Sequence, residues 1–426
     1  MSWNQWYRIS SYIKSALWVA PFVAMLLEQV TLRLAFLIDK QTGWSLLELT
    51  QPEAQAILQA IITMTLSFIV FTFGSLLVAV QIAGGQLTPR IIATTLLRDN
   101  AVKYSVGLFV FTLLFAIGVV GRTDTTVYQF VVFVAAILGF SCIATFLYLI
   151  DYAARLLRPA SIVGRVGQSG LAVIESVFPH PVTHSPAPEP DWPLGTPDRI
   201  ILHQNPSGIV LAVNLNALRA EATRRNGIIE FVPQVGDFVA ADEPLFRLYG
   251  GASGAEEDRL KAAVAFGSER TMEQDPLFAF RILVDIALKA LSKAINDPTT
   301  AVLAIDQLQH LLRRVGSRNL QNEFITDAAG HLRIVFRTPN WEDFVQLACT
   351  EIRHNGAESI QVVRRLRAML ENLIQALPAH RHPVLHRELN LLELAIKRAY
   401  VFPEDLALAC IPDSQGMGAA GGRSNV

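Results

Sequence analysis

The sequence predicts an α-helical polytopic membrane protein: four transmembrane helices, followed by a cytoplasmic α+β tail. Three observations predict it. Four long apolar segments with few charges fill the first 150 residues: Ser15–Ile38, Ala54–Ala83, Tyr104–Val120 and Val127–Ile150. Each approaches or exceeds the roughly 20 helical residues that cross a bilayer core. The 426 residues are 51% hydrophobic and 17% charged, whereas soluble chains carry about 25% charge. The deficit lies in the first third, and the remainder reads as ordinary soluble sequence.

The transmembrane domain is expected over residues 1–158. Arg8 and Lys14 precede the first span, and no small-residue cleavage site follows it, so we read it as retained rather than as a signal peptide. Basic residues flank the spans unevenly. Arg8 and Lys14, then Arg90, Arg98 and Lys103, then Arg155, Arg158 and Arg165 fall on one side, against Lys40 and Arg122 on the other. That excess marks the cytoplasmic face, which puts both termini and the tail in the cytoplasm. Trp3, Trp6, Tyr7, Tyr148 and Tyr152 suit headgroup-level anchors.

The first span contains Glu28 and Arg33. Charges inside spans are costly and often functional; five residues apart, these two do not share a helix face. The second span is longer than a bilayer needs. Ser75, Ala79 and Ala83, with Gly74 alongside, form a small-residue stripe that permits close helix approach. The stripe fits packing within one subunit, or a face turned to a neighbouring subunit or a pore. Gln81 ends it, at the interface or beside a wet path. Thr88-Pro89 then caps an amphipathic helix over residues 89–98, a surface linker or a coupling element. Asp151 and Arg155 pair at i,i+4 just past the fourth span.

Residues 159–198 read as a helix and a proline-rich linker, with the break at HPVTHSPAPEPDWP. Residues 199–250 switch to short strands (RIILH, GIVLAV, GIIEFV, PLFRLY) around one helix, LNALRAEATRR. VGDFVAADEPLFRL looks like part of a small barrel-sandwich module, a type that includes lipoyl and biotinyl carriers. No carrier lysine motif is present, so an adaptor role is the better reading. Residues 256–402 are mostly helical, with apolar positions at three- and four-residue spacing, a helix start at Asp297-Pro298 and a strand-like HLRIVFRT. Residues 413–426 are small and polar and are expected to be disordered.

Chemical motifs are sparse. No Walker loop, GxGxxG or HExxH occurs, and GASGA lacks the phosphate-loop lysine. His380, His382 and His386 lie close together, but Pro383 puts His382 at a helix start, and no cysteine or carboxylate set completes a metal site. Ser253 and Ser268 have no identifiable histidine partner. Cys142, Cys349 and Cys410 form neither a disulfide framework nor a zinc pattern. The formal net charge of -1 gives no argument for nucleic acid. No cofactor, metal or catalytic residue is predicted, and the chain is read as a non-enzyme.

The stretch RTMEQDPLFAFRILVDIALKALSKAINDPTTAVLAIDQL resembles the signature of a bacterial membrane protein family, domain-of-unknown-function family 2254. The resemblance continues in FGSLLVAVQIAGGQLTPRII, VGDFVAADEPL and FVQLACTEIRHNGAESIQVVRRLRAML. It implies a bacterial inner-membrane protein with four spans and a cytoplasmic tail, and brings no established activity. The signature's polar residues are Arg270, Gln274, Asp275, Arg281, Asp285, Ser292, Asn296, Asp297, Thr299 and Thr300. They fit a satisfied network between helices or subunits, or a ligand or ion pocket.

Two functions remain. One is a homo-oligomeric channel or ion/solute-permeation protein gated by its tail, since four helices enclose little alone. The other is a non-transporting scaffold or sensor whose tail binds a cytoplasmic partner. An enzyme acting on lipids is a weaker third, with no exposed nucleophile or metal set to carry it.

Overall fold

The computed structural model describes residues 2–43, 48–86, 99–122, 127–156, 158–182, 194–320 and 323–418. They fall into two compact units. One takes the described parts of 12–85 and 89–161; the other takes those of 1–11, 86–88 and 162–426. The expected helix over 89–98, its Thr88-Pro89 cap and most of the proline-rich linker lie outside the described residues.

α1 (Trp3–Ser15) opens the chain, with residues 3–11 in the second unit and 12–15 in the first; α2 (Val19–Thr42), α3 (Gln51–Gln86), α4 (Asn100–Val120) and α5 (Gln129–Leu156) follow in the first, save Gln86. The last four are long and apolar enough to cross a membrane. Their bounds differ by a few residues from the expected spans, and the first differs for a clear reason. Pro21 lacks the N–H that a helix continuing from upstream would need. The helix therefore breaks, and α1 stands as a separate element that composition did not reveal. α4 is central: 56% of its span is buried, against 17% for α3. Leu32, Ala35 and Phe36 of α2 pack with Leu58 and Ile61 of α3, Phe115 and Val119 of α4, and Val131 and Ala135 of α5. Two carboxylates tie the helix ends. Asp99 caps α4 by accepting from Ala101 N–H at 2.9 Å and also accepts from the Tyr152 hydroxyl. Asp39 accepts from Val131 N–H at 3.3 Å. The expected Asp151–Arg155 pair forms.

The second unit resumes with α6 (Pro159–Val177), whose 159–161 belong to the first unit. The elements that follow are β1 (Arg199–Leu202), β2 (Gly208–Val213), α7 (Leu215–Arg225), β3 (Gly227–Phe231), β4 (Phe238–Val239), β5 (Pro244–Gly250), α8 (Glu257–Lys261) and β6 (Val264–Gly267). Then come α9 (Pro276–Ala290), α10 (Pro298–Gly316), β7 (Phe324–Thr326), β8 (Leu332–Phe336), α11 (Trp341–Gly356), α12 (Ile360–Ala376), α13 (His382–Ala399) and α14 (Pro403–Ala409).

The strands make two sheets, ordered β1-β5-β3-β8-β7 and β4-β2-β6. The β region therefore does not end at residue 250. β6 and β7 come from the stretch expected to be mostly helical, while β8 falls on the strand-like HLRIVFRT and pairs parallel with β3, Glu230 against Val335. Ile201, Ile229, Phe231, Phe246, Leu248 and Ile334 fill the space beneath the larger sheet. Beyond it, α9 packs on α10 and α11, and α12 on α10 and α13; Phe280 and Phe344 meet at 5.1 Å between ring centroids.

At the linker, Pro181 bridges to Arg318, and Val182 N–H donates to Ser317 O at 2.9 Å. The expected disorder from Asp413 does not hold for 413–418. Asp413 accepts backbone N–H bonds from Gln415 and Gly416 at 3.0 Å and from Gly418 at 2.7 Å. Residues 419–426 lie outside the described set.

Candidate functional site

The signature stretch places Gln274 and Asp275 immediately before α9. Asp275 caps that helix: Pro276 takes its first position, and Oδ1 accepts from Phe278 N–H at 3.1 Å. Gln274 Oε1 accepts from Val213 N–H at 2.9 Å, at the end of β2. The pair is thereby fixed to both a sheet and a helix. Both residues line a cavity of about 590 Å³. Its walls are largely apolar, with Val213, Leu215, Phe231, Phe324 and Phe336, while His180, Asn216, Gln234, Arg337 and Thr338 add polar groups. A cleft of a few hundred Å³, mostly apolar with a few convergent polar groups, is the usual form of a small-molecule site.

Asp275 is 3% exposed, and its Oδ2 takes no hydrogen bond among the described residues. Arg270 Nη1 stands 3.8 Å from that oxygen, an ion pair beyond hydrogen-bond distance. Burial pushes the carboxyl up to about 6. Arg270 and the N–H groups of Phe278 and Leu277 pull it down, and Asp237 pushes it further up. An underused, buried carboxylate beside a cavity is the arrangement perturbed at functional sites.

The other signature residues go elsewhere. Arg281 of α9 donates from Nε to Asp285 Oδ1 at 2.7 Å, and through Nη1 and Nη2 to Glu351 of α11 at 2.5 and 3.0 Å. That ion-paired clamp between two helices holds the Glu351 carboxyl below its ordinary value, despite some burial. Asn296 has a left-handed backbone, φ 50°. Asp297 caps α10 by accepting from Thr300 N–H at 3.1 Å and from its hydroxyl at 2.5 Å. Thr299 is exposed, and Ser292 bonds back to Lys289 O. Apart from Ser292 and Thr299, the signature's polar residues thus separate into a cavity corner, a helix clamp and a helix cap rather than one network.

The stripe on α3 is also divided. Gly74 is exposed, and a Cβ there would meet nothing within 4 Å. Ser75 is half-buried with its hydroxyl on Thr72 O at 2.9 Å, Ala79 is buried, and Gln81 is exposed. The Ala83 side chain lies outside the described residues. Hydroxyls of Thr63, Thr65, Ser67 and Thr72 likewise bond to carbonyls of α3 itself, a habit of Ser and Thr in helices. Glu28 of α2 differs. It is 1% exposed; Oε2 accepts from Gln29 Nε2 at 2.8 Å, but Oε1 has no hydrogen-bond partner among the described residues. Arg33 is exposed.

Of the expected aromatic anchors before the first span, Trp6 is exposed. Trp3 and Tyr7 stack on each other and pack with Leu211, Ala212 and Ala265. His382 opens α13, as Pro383 requires; its Nε2 lies 2.8 Å from Leu377 O. Sequence reasoning missed the cavity, whose lining comes from six separated segments. It also missed Glu351, the partner of Arg281, 70 residues away.

Four helices long and apolar enough to cross a membrane, in a chain with a sheet-containing C-terminal unit, are the pattern of a multi-span membrane protein. The chain matches the family model described as Predicted membrane protein (DUF2254) over residues 14–372 and belongs to that family. It is 25% identical to Uncharacterized protein Rv1290c of Mycobacterium tuberculosis (strain ATCC 25618 / H37Rv), across 94% of this chain and 80% of that protein. It has the same likeness to Uncharacterized protein Mb1321c of Mycobacterium bovis (strain ATCC BAA-935 / AF2122/97). No solved structure matches the chain.

Proposed function

We propose that this protein is a membrane-embedded sensor whose C-terminal unit binds a small molecule in the Gln274–Asp275 cavity. The observation that carries the reading is the buried Asp275 Oδ2, with no hydrogen bond among the described residues, in a largely apolar cavity of about 590 Å³. Desolvating a carboxylate without full hydrogen bonding is costly, and a ligand offering a donor to that oxygen would repay part of the cost. The reading places the chain in a bacterial inner membrane with both termini cytoplasmic, following its basic flanks, and assigns it no catalysis. The test is mass spectrometry of small molecules released from the purified full-length chain, and from Asp275→Asn and Leu215→Trp variants. A compound retained by the parent chain and lost from both variants supports a bound ligand. An empty parent chain that no compound in a metabolite panel stabilises against heat overturns it.

A second reading is a homo-oligomeric pathway for an ion or small solute, gated by the C-terminal unit. Glu28 favours it, because a carboxylate buried inside a span is costly and such residues often mark ion pathways. The sparsely buried α3, with Gly74 and Gln81 outward, is the face a neighbouring subunit would cover. Single-particle mass and symmetry in nanodiscs, with flux from liposomes, test it. A monomer without flux would sink this reading and leave the sensor standing.

A further inference from the structure

We propose that α1 lies flat on the bilayer, its outer face seated at the boundary between lipid headgroups and acyl chains. A helix docked on a soluble unit normally turns its polar side to water. The inner face of α1 is already used: Trp3 and Tyr7 pack with Leu211, Ala212 and Ala265. Asn4 N–H donates to Ala262 O at 3.2 Å, and the Ser11 hydroxyl donates to Glu273 Oε1 at 3.2 Å. The outer face nevertheless carries Trp6, Ile9, Tyr12 and Ile13, exposed by 58%, 45%, 60% and 46%. Positions i, i+3, i+6 and i+7 share one side of an α-helix, so these four form a continuous apolar stripe.

Chain connectivity names the occupant. Only residues 16–18 separate α1 from α2, whose length and apolarity suit a membrane span. Three extended residues reach about 10 Å, so the end of α1 cannot stand away from the place where the span enters the bilayer. The junction is aromatic as well. Trp18 is 53% exposed, its indole N–H donates to Tyr12 Oη at 3.4 Å, and its ring meets Phe22 edge-on at 5.8 Å. Trp and Tyr with an apolar body and a polar edge concentrate at that depth. Isoleucines at the middle of the stripe and Trp6 and Tyr12 at its margins match an interfacial helix. Through Ser11 the same helix is bonded to Glu273, the residue before Gln274 and Asp275.

The test uses the full-length chain in phosphatidylcholine liposomes. One variant keeps Trp6 as its sole tryptophan and another keeps Trp3. Lipids brominated near the headgroup or near the chain terminus serve as quenchers in the bilayer, and iodide serves in the water. The expected result is a blue-shifted Trp6 that loses most of its emission to shallow bromolipid and less to deep bromolipid, with Trp3 unaffected by either. If the tryptophan-depleted chains misfold, Ile9→Cys with Cys410→Ser carries a nitroxide instead, expected to be relaxed by oxygen more than by a water-soluble nickel chelate. Quenching of Trp6 by iodide but not by bromolipid overturns the proposal, as does protection from both, which would mean that protein covers the stripe.

Discussion

Asp275 Oδ2 lies against the bare Cα of Gly236, and a Cβ at that glycine would collide with the carboxylate. Gly236 sits in a tight turn at φ +94°, its N–H donating to Val210 O at 2.8 Å. Gly236→Ala therefore meets two penalties. A left-handed backbone costs an L-residue about 1–2 kcal/mol, and the collision displaces the carboxylate that lines the cavity. The expected outcome is a lower thermal midpoint for the C-terminal unit, followed by tryptophan fluorescence. An unchanged midpoint would show that the turn is more forgiving than this packing implies.

Asp275 itself makes stability depend on pH. Its carboxyl is raised from 3.8 to about 6 in the folded chain, so the folded state holds the proton more tightly than the unfolded state. The stabilising contribution of the protonated form is fully present below about 4 and is lost as pH rises through 6, to an extent of roughly 3 kcal/mol at one pKa unit per 1.36 kcal/mol. Asp275→Asn keeps an oxygen for the Phe278 N–H and carries no charge. Unfolding midpoints should favour the variant by roughly 1–3 kcal/mol near pH 8 and converge near pH 4. A constant difference across that range would assign the effect to something other than ionisation.

The Arg281–Glu351 contact predicts a measurable coupling between α9 and α11. Glu351 is 45% exposed at its side chain, so solvent screening limits the pair to about 0.5–1 kcal/mol. A double-mutant cycle with Arg281→Met and Glu351→Gln should show that coupling at neutral pH. Because the Glu351 carboxyl is held below its ordinary value, the contribution is present above about 4.5 and fades as pH falls through the lowered value. Strict additivity of the two changes at neutral pH would refute it.

These residues also show which parts of the molecule were legible in the sequence. Continuous apolar runs announce α2 to α5 because a lipid core requires uninterrupted helix and apolar side chains. The Asp297-Pro298 helix start was readable because capping and the proline position are local chemistry. Distant pairing was not readable. β8 joins β3 from about a hundred residues away, and Arg281 finds Glu351 across 70; a short apolar run carries no signal naming its partner strand. The cavity stayed hidden for the same reason, since its polar corner and its apolar walls meet only after folding. The stripe on α3 was visible as a pattern, but the side that Gly74 presents depends on how α3 packs.

The C-terminal segment yields the last prediction. Arg364 of α12 is fully buried, and its guanidinium donates to the carbonyls of Ile411 and Gly418, both at 3.0 Å. Asp413 N–H returns a bond to Arg364 O at 3.2 Å. Burial raises the Asp413 carboxyl, but backbone N–H groups of Gly418, Gly416 and Gln415, with Arg364, outweigh it and leave the group below its ordinary value. Removing residues 411–426 would take away those acceptors from a cation that the intact fold buries. A buried charge that loses its partners costs about 3–5 kcal/mol, whereas an apolar replacement of similar volume escapes most of that cost. The truncated chain should therefore unfold well below the intact one, and adding Arg364→Met to the truncation should recover much of the loss. In the intact chain the same substitution should destabilise, because it leaves the two carbonyls without their donor. The opposite sign of one substitution in two backgrounds, read from denaturant midpoints, is the decisive observation; the same sign in both would mean that Arg364 does not depend on the C-terminal segment.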